Sequence, residues 1–586
     1  MDRRTLLAMV LFLVLFLVWS KVMDRYRPAP QPAATATESV VVGSTDDAAT
    51  GAGAGVAPNA AAADTSAVAV LASATGTFAA PGDGVYELGN DLFTLRIAEA
   101  GGAIVGCKLR DYRNGDGGPV ELVPPSGALD EAPAGDVLVH ETGELDLTDA
   151  PFLPVGEAGF TLGAGDAPRE LVLEATGAGG LLVRKIYTLR PGNYVVDVRY
   201  ELPSGGPMLR GARFAWRRGI AVTEHETKAM MQRGSFRAFV QVGEEFHAVS
   251  QLNLTKGKGE ESYRGSVRYA GVQNKYFSIL GFLPDNGGSA VDGRVKLGGD
   301  RETGHQSWDL EVPARPGAGG ASAAVSLYLG PNDYRRLRAL GHDLEKIVNL
   351  GWKWIQPISE LVLRLMNWLH GFIPNYGWVI VIISILSKLV FWPLTAKGTK
   401  AMKQMQDSQA RLKPKLDALK KKHSGDPQRY NQEMMKLYKE EGVNPLAGMS
   451  GCMPMLVQMP VFIALYQVLY NMVDLRMAPW LGWINDLSQP DALFVLPFSL
   501  PLLGNLFNLL PLLMAAVTWW QTKLTPTSGA GGQMAAMNTI MPVMMLFFLY
   551  NMPSGLVIYW TINTAVTALQ TWRIHKSAPA SGGAPA

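Results

Sequence analysis

The stretch VIVIISILSKLVFWPLT, residues 379–395, decides how the C-terminal part of this chain folds. Its apolar run is typical of a helix that crosses a membrane, yet Lys388 stands near its middle. Lys388 is ten residues from Trp378 and nine from Lys397, so at ~1.5 Å per residue it lies about 13–15 Å from either edge. A central lysine costs roughly 3 kcal/mol on insertion scales, so its ammonium group should face protein or water rather than lipid.

The composition also indicates a membrane protein. The chain has 586 residues, too many for one compact domain, and is 48% hydrophobic but only 18% charged, whereas soluble domains carry roughly a quarter of charged residues. Its two cysteines, Cys107 and Cys452, are predicted to lie in different compartments, so we expect no disulfide framework.

The first 80 residues predict an anchor and a tether. Residues 1–22 contain the apolar run LLAMVLFLVLFLVW behind Arg3 and Arg4, with no small-residue cleavage site after it, which predicts an uncleaved signal-anchor helix. Residues 23–80 are mostly Ala, Gly, Thr and Pro with scattered acids. Such a segment cannot bury enough apolar surface to offset its chain entropy, so it is predicted to be a disordered periplasmic tether.

Residues 81–335 show the period-two alternation of strands, as in YVVDVRY at 194–200. The PGN turn at 191–193 separates this strand from KIYTL and predicts a hairpin. With no convincing helix before about residue 333, the segment predicts one large periplasmic antiparallel β-sandwich.

Residues 350–371 predict an amphipathic helix that lies in the membrane interface. A polar stripe is formed by Lys353, Gln356, Glu360, Arg364 and Asn367, and an apolar face by Trp352, Ile355, Ile358, Leu361, Leu365 and Trp368. A core helix of a soluble domain is the alternative.

Five further membrane spans are predicted, which makes six with the anchor: 376–396, 446–470, 508–524, 535–551 and 554–572. The loop 471–507 includes an apolar part that Pro497, Pro501 and Gly504 interrupt too often for a helix. The last three spans are short, which indicates a locally thin bilayer.

Loop charges set the predicted topology. The loop 397–445 carries twelve Lys and Arg against six acids, whereas the loop 471–507 carries Arg476 alone against three acids. The basic loop is therefore predicted to be cytoplasmic, as are the N-terminus and the tail 573–586, and residues 23–375 to be periplasmic, in a cell inner membrane.

Within 397–445, apolar residues repeat at intervals of three and four on both sides of HSGDPQR, which predicts a cytoplasmic helical hairpin. Its basic residues are candidates for docking to ribosomal RNA, anionic lipid or an acidic protein surface: Lys413, Lys415, Lys420, Lys421, Lys422 and Arg429. A solvated loop that binds nothing would explain the charge equally well.

The five spans after the β-sandwich contain no Asp or Glu, so Lys388 has no partner for a buried ion pair there. They do contain neutral polar residues that, with Lys388, predict a water-filled groove: Ser384, Gln458, Tyr466, Thr518, Asn538, Tyr559 and Asn563. A wet groove with an uncompensated positive charge would attract an acidic, polar segment of another chain. In the alternative, Lys388 extends to the cytoplasmic headgroups.

Several stretches resemble the YidC/Oxa/Alb family of membrane insertases in its Gram-negative form. They are NYGWVIVIISILSKLVFWPLT at 375–395, QEMMKLYKEEGVNPLAG at 432–448, CMPMLVQMPVFIALYQVLY at 452–470, LRMAPWLGWINDLS at 475–488 and MPSGLVIYWTIN at 552–563. The resemblance implies a multi-domain membrane protein: a periplasmic β-sandwich plus a bundle of six transmembrane helices with a cytoplasmic hairpin.

The resemblance also implies an activity. Members of this family are not enzymes; they insert and fold membrane proteins without nucleotide or cofactor, alone or with the Sec translocon (SecYEG, SecDF). The implied partners are nascent membrane proteins, the ribosome, the signal recognition particle receptor and membrane lipid. The family usually has arginine in its groove where this chain has Lys388, which keeps the charge but loses bidentate geometry.

Two other functions fit less well. An intramembrane serine protease would use Ser450 of GMSG, but no histidine lies in a predicted span to act as its base. A secondary transporter is the stronger alternative, although the five spans lack the carboxylate that proton coupling usually requires.

Overall fold

The computed structural model describes residues 78–577, apart from 116, 125–135, 142, 178–179, 204–207, 225–235, 252, 254–260, 285–290, 300–305, 318–319, 424–425, 442–452, 501–502 and 525–531. The predicted signal anchor, the tether up to residue 77 and the end of the tail lie outside these residues. The described residues divide into two compact units: a β unit, up to residue 351 and with 471–474, and a helical unit, residues 352–470 and from 475 onward.

The β unit contains twenty strands, in the part from residue 85 to residue 331. They are β1 Val85–Gly89, β2 Phe93–Ala98, β3 Ile104–Arg113, β4 Pro119–Glu121, β5 Val137–His140, β6 Gly143–Asp146, β7 Leu153–Pro154, β8 Phe160–Thr161, β9 Arg169–Thr176, β10 Leu182–Leu189, β11 Val195–Glu201, β12 Leu209–Trp216, β13 Arg237–Val242, β14 Glu245–Ser250, β15 Glu261–Gln273, β16 Phe277–Phe282, β17 Val291–Gly299, β18 Gln306–Pro313, β19 Arg315–Gly317 and β20 Gly320–Pro331.

These strands form two sheets. The smaller has the order β4-β3-β2-β1-β8, and β1–β8 is its parallel pair. The larger holds fifteen antiparallel strands: twelve follow the path β6-β5-β12-β18-β17-β15-β16-β20-β11-β10-β9-β7, while β13 pairs with β14 and β15, and β19 pairs with β20. The predicted hairpin is present, because β10 pairs with β11 from Arg184 opposite Glu201 to Leu189 opposite Val196. The sheets meet through aromatic rings: Phe93 stacks on Tyr194 with centroids 6.2 Å apart.

Helices follow the strands. They are α1 Tyr334–Leu340, α2 Gln356–His370, α3 Tyr376–Lys422, α4 Pro427–Glu440, α5 Met453–Asn471, α6 Leu509–Leu524, α7 Gly532–Leu549 and α8 Ser554–Ser577. Between α5 and α6, the apolar part of the loop forms two paired strands instead of a helix, β21 Phe494–Leu500 and β22 Gly504–Phe507.

The first helix of the helical unit after α2 differs from its predicted bounds. The span predicted over 376–396 and the first helix of the predicted hairpin form one continuous helix, α3, of 47 residues. The sequence after Pro393 is rich in Ala, Lys, Met and Gln, which favour helix, and its one proline, Pro414, does not end the helix before His423. Prolines are accommodated inside three helices: Pro393 and Pro414 in α3, Pro460 in α5 and Pro542 in α7.

Helix α2 begins at Gln356, later than the predicted residue 350, with Pro357 in its first turn, a position where the missing amide proton costs nothing. One face is buried, through residues such as Val362 and Met366. The opposite face exposes apolar side chains, among them Leu361 and Trp368. A helix with an exposed aromatic face beside a polar stripe keeps the composition of an interfacial helix.

By length and mean hydropathy, one helical stretch among the described residues, Tyr376–Pro393, is suited to crossing a membrane. This criterion alone is weak evidence, because core helices of soluble proteins also meet it. The count of six spans therefore stays a prediction.

A short segment after α5 belongs to the β unit. Asn471 donates a 2.8 Å hydrogen bond to the Asn349 carbonyl. Burial and the carboxylate of Asp333 raise the pKa of Asp474 from its ordinary 3.8 to about 6, although Arg335 and Arg336 act in the opposite direction. Between about pH 4 and pH 6, Asp474 is therefore mostly protonated in the native β unit but mostly ionised in the unfolded chain.

We predict that Asp474→Asn stabilises the β unit above pH 6 by about 1 kcal/mol, after allowance for solvent screening. Because the native pKa is raised, the wild-type chain gains stability as pH falls through 6 toward 4, and the advantage of the variant should shrink over that range. Thermal unfolding from pH 4 to pH 8 tests this, with exposed Asp83→Asn as control. A variant advantage that grows toward pH 4 would contradict the prediction.

Candidate functional site

The loop between α5 and α6 closes one end of the helical unit, here called the loop end. The carboxylate of Asp491 is 4% exposed and accepts hydrogen bonds from the indole of Trp483 at 2.9 Å and the amide of Leu510 at 2.8 Å. This carboxylate satisfies a free amide at the start of α6. The loop also bonds to α8, since the Ser554 hydroxyl donates to the carbonyl of Asp486 at 2.8 Å.

The start of α3 is fixed to the same loop. Asn375 caps α3 through the amides of Gly377 and Trp378, and its side-chain amide donates to the Pro479 carbonyl at 3.0 Å. Gly377 is required by close packing, because a Cβ there would lie 2.1 Å from Cδ1 of Trp480. The loop end is therefore closed by specific contacts.

Burial decreases along α3 away from the loop end. Val379, Ile380 and Ile383 are at most 4% exposed, whereas Leu389 is 58% and Val390 is 70% exposed. Helix α3 is therefore tightly packed near the loop and more exposed beyond Ser384.

Lys388 lies where this packing opens. Its side chain is partly buried, and no charged group among the described residues acts on its ammonium; burial alone affects it. Such a charge requires water, lipid headgroups or a bound anion as its partner.

A polar cluster forms beside Lys388 from three helices. The side-chain amide of Gln458 on α5 donates to the Tyr559 hydroxyl on α8 at 3.0 Å. The side chains of Asn563 and Ser387 lie near the same hydroxyl, and the Ser387 hydroxyl donates to the Ser384 carbonyl at 2.8 Å. Two acceptors in the cluster, Gln458 Oε1 and Asn563 Oδ1, are buried and have no hydrogen-bond partner. The structure thus brings three of the predicted groove residues together, and two of them retain unused acceptors.

The other predicted groove residues are less available. The hydroxyl of Ser384 donates to the Ile380 carbonyl at 2.7 Å, and that of Thr518 to the Met514 carbonyl at 2.8 Å, so each is bonded to its own helix. Tyr466 stacks on Tyr470 with ring centroids 5.6 Å apart. Asn538 belongs to α7, but its side chain lies outside the described residues.

The predicted docking residues lie on α3 and α4, whose caps include the carboxylate of Asp426 at the start of α4. Lys415 forms an ion pair with Glu441, while Lys421, Lys422 and Arg429 are exposed. The side chains of Lys413 and Lys420 lie outside the described residues.

The site residues absent from the predicted set are the loop anchors, whereas Ser387 is one of the neutral polar residues that the sequence places beside Lys388. In the sequence, Asp491 is recognisable only as one of the three acids of the loop 471–507, and nothing marks Trp480 as a packing residue. One feature of the sequence could have indicated them: the glycine in the first turn of α3 as a close contact. Asp491 precedes Leu510 by 19 residues, so no local signal marks it as a partner of α6.

Two family models and several membrane protein insertases match this chain. A family described as "60Kd inner membrane protein" matches residues 368–581, and one described as "YidC periplasmic domain" matches residues 86–361. The membrane protein insertase YidC of Chlorobaculum parvum is 31% identical over 96% of this chain and 92% of its own length. That of Aromatoleum aromaticum is 32% identical over the full length of both chains.

A crystal structure of an active YidC insertase covers 86% of this chain and 97% of its own, at 20% identity and a TM-score of 0.35. The two family matches define an inner-membrane protein with a periplasmic β-rich domain and a helical C-terminal region. The chain belongs to the YidC family of membrane protein insertases.

We predict that Tyr559→Phe destabilises the helical unit by about 1 kcal/mol, because it leaves the Gln458 amide without its acceptor. Thr561→Val is the matched control, since the Thr561 hydroxyl bonds only to the Val557 carbonyl of its own helix. Thermal unfolding in detergent measures both, and equal losses in the two variants would contradict the prediction.

Proposed function

We propose that this chain inserts nascent membrane proteins by receiving a polar, acidic segment of the substrate in the groove around Lys388. The single observation that supports this most strongly is the partly buried ammonium with no counter-charge among the described residues. The unused acceptors of Gln458 and Asn563 beside it supply hydration sites. The packed loop end explains why the segment would enter from the opposite, more open side.

The proposed mechanism needs no nucleotide. A substrate that crosses a bilayer must move its polar tail through hydrocarbon, and a hydrated groove shortens the apolar distance that this tail must cross. Burial of the substrate's apolar helix in lipid, at ~25 cal/mol per Å², supplies the driving force. A short helix favours a thin bilayer at the site: the sixteen residues of α6 span only about 24 Å against a hydrocarbon core of ~30 Å.

The proposed topology keeps the predicted six spans, with both termini in the cytoplasm and residues 23–375 in the periplasm. The charge difference between the loops 397–445 and 471–507 supports it. The exposed Lys421, Lys422 and Arg429 support a cytoplasmic docking hairpin for the ribosome, the signal recognition particle receptor or anionic lipid. The Sec translocon (SecYEG, SecDF) is proposed as a partner on the resemblance alone.

We predict that Lys388→Ala lowers insertion of substrates with acidic tails about tenfold, whereas Lys388→Arg retains insertion, because attraction to a hydrated groove needs the charge and not one donor geometry. Protease protection of substrate tails in proteoliposomes measures this. Lys523→Ala is the matched control, because Lys523 lies at the end of α6 over the Trp519 ring, 3.8 Å from its centroid.

Full activity of the Lys388→Ala variant on every substrate would remove the groove charge from the mechanism. Solute uptake by the same proteoliposomes without any insertion would favour a secondary transporter instead.

We predict that a photoreactive amino acid at position 458 crosslinks to a stalled nascent membrane protein, whereas one at position 465 does not. Gln458 is partly exposed beside Lys388, whereas Leu465 is on the same helix, two turns nearer the loop end, and is 2% exposed. Equal crosslinking from both positions would show that the substrate does not follow a one-ended groove.

A further inference from the structure

A cavity of about 50 Å³ lies inside the β unit. Strands β10, β11 and β20 form one side and β12 and β18 the other, and the rings of Tyr200 and Phe214 approach to 5.7 Å between them. At ~10–15 Å³ for each water position, the cavity admits about three to five waters. It therefore has room for a carboxylate group, and because the cavity is partly open, the rest of a larger molecule would extend out of it.

One wall of the cavity is polar but fully satisfied. Lys185, at 3% exposure, donates to Asp136 Oδ2 at 3.0 Å and to the Gly101 carbonyl at 3.1 Å. Asp136 also accepts from the Tyr200 hydroxyl at 2.7 Å and the Ala215 amide at 3.0 Å. This wall is neutral overall, because the Lys185 charge is matched and both Asp136 oxygens are occupied.

Two donors that line the same cavity are not satisfied. The indole of Trp308 is 1% exposed and its Nε1 has no hydrogen-bond partner. The Nε of Arg218 is likewise buried and without a partner. Burial lowers the pKa of Arg218, and no charged group among the described residues offsets this. A buried donor without a partner costs roughly 1–3 kcal/mol, more if it is charged, so the cavity is incomplete as it stands.

The charges that line the cavity define the complementary group. Lys185 is matched by Asp136, and Arg217 lies 3.6 Å from Asp309, which leaves one uncompensated positive charge, on Arg218. A carboxylate carries one negative charge and two acceptor oxygens, which corresponds to one cation and two N–H donors. A phosphate would bring a larger charge and a third acceptor with no donor to meet it.

We propose that this cavity binds the carboxylate of a small organic acid, with Arg218 and Trp308 as hydrogen-bond donors and the rings of Tyr187 and Phe214 against its carbon atoms. Nothing in the insertase function requires this site. It would make the β unit a receptor for an acidic metabolite or a sugar acid in its compartment.

Ligand-observed NMR on the full chain in nanodiscs tests the proposal with glucuronate, acetate, glucose and chloride as probes. Glucuronate should bind, glucose should not, and Arg218→Gln should weaken glucuronate at least tenfold. Trp308→Phe should weaken it several-fold, with circular dichroism to confirm that this variant folds. Arg169→Gln is the matched control, because Arg169 is paired with Glu157 and exposed.

The acetate arm separates the two sources of a carboxylate. Acetate that binds as tightly as glucuronate indicates recognition of the carboxylate alone, and tighter glucuronate binding indicates a sugar acid. Three results would overturn the proposal: equal binding of glucose and glucuronate, chloride bound as tightly as acetate, or unchanged affinity in Arg218→Gln.

Discussion

The helical unit depends on one constraint, which is the positive charge of Lys388. It lies in a weakly polar environment, with no carboxylate among the described residues to neutralise it. A lysine in this position is tolerated only if water or another molecule solvates it. The neighbouring helices meet that need with side chains that hydrogen-bond across helices and keep acceptors free, namely Gln458 and Asn563. At the loop end, Asp491, Asn375 and Trp480 hold the helices together. In the proposed mechanism, the groove is hydrated beyond this packed end and stays stable without its polar part being filled.

Local patterns in the sequence were sufficient for much of the architecture. The alternation in β11 and the turn before it predict the β10–β11 hairpin, because strand periodicity and turn chemistry are properties of neighbouring residues. The density of proline and glycine in 492–507 excludes a helix there for the same reason. The continuity of α3 past residue 396 was not predictable in this way: helix-forming residues continue through Pro393, and charge alone does not end a helix.

The candidate site was predicted in its chemistry but only partly in its contacts. Lys388 is recognisable because a charge interrupts an apolar run. Gln458 and Tyr559 are 101 residues apart, and the rotation of each helix decides whether they meet. Ser384 and Thr518 were predicted to line the groove, but each hydroxyl bonds to a carbonyl of its own helix. The residue type alone does not distinguish these two uses of a hydroxyl. The β-unit cavity had no local signal, because Asp136, Lys185, Arg218 and Trp308 come from separate strands and loops.

The prolines inside α3, α5 and α7 leave polar backbone carbonyls without their usual helical hydrogen bond. A proline lacks the amide proton that would bond to the carbonyl four residues earlier. Pro393, Pro460 and Pro542 thus each remove one link from the backbone ladder, at the carbonyls of residues 389, 456 and 538. The first of these carbonyls belongs to the residue directly after Lys388. Helices of this kind present free carbonyl oxygens although their side chains are apolar. These oxygens can accept hydrogen bonds from the backbone amides of a substrate peptide.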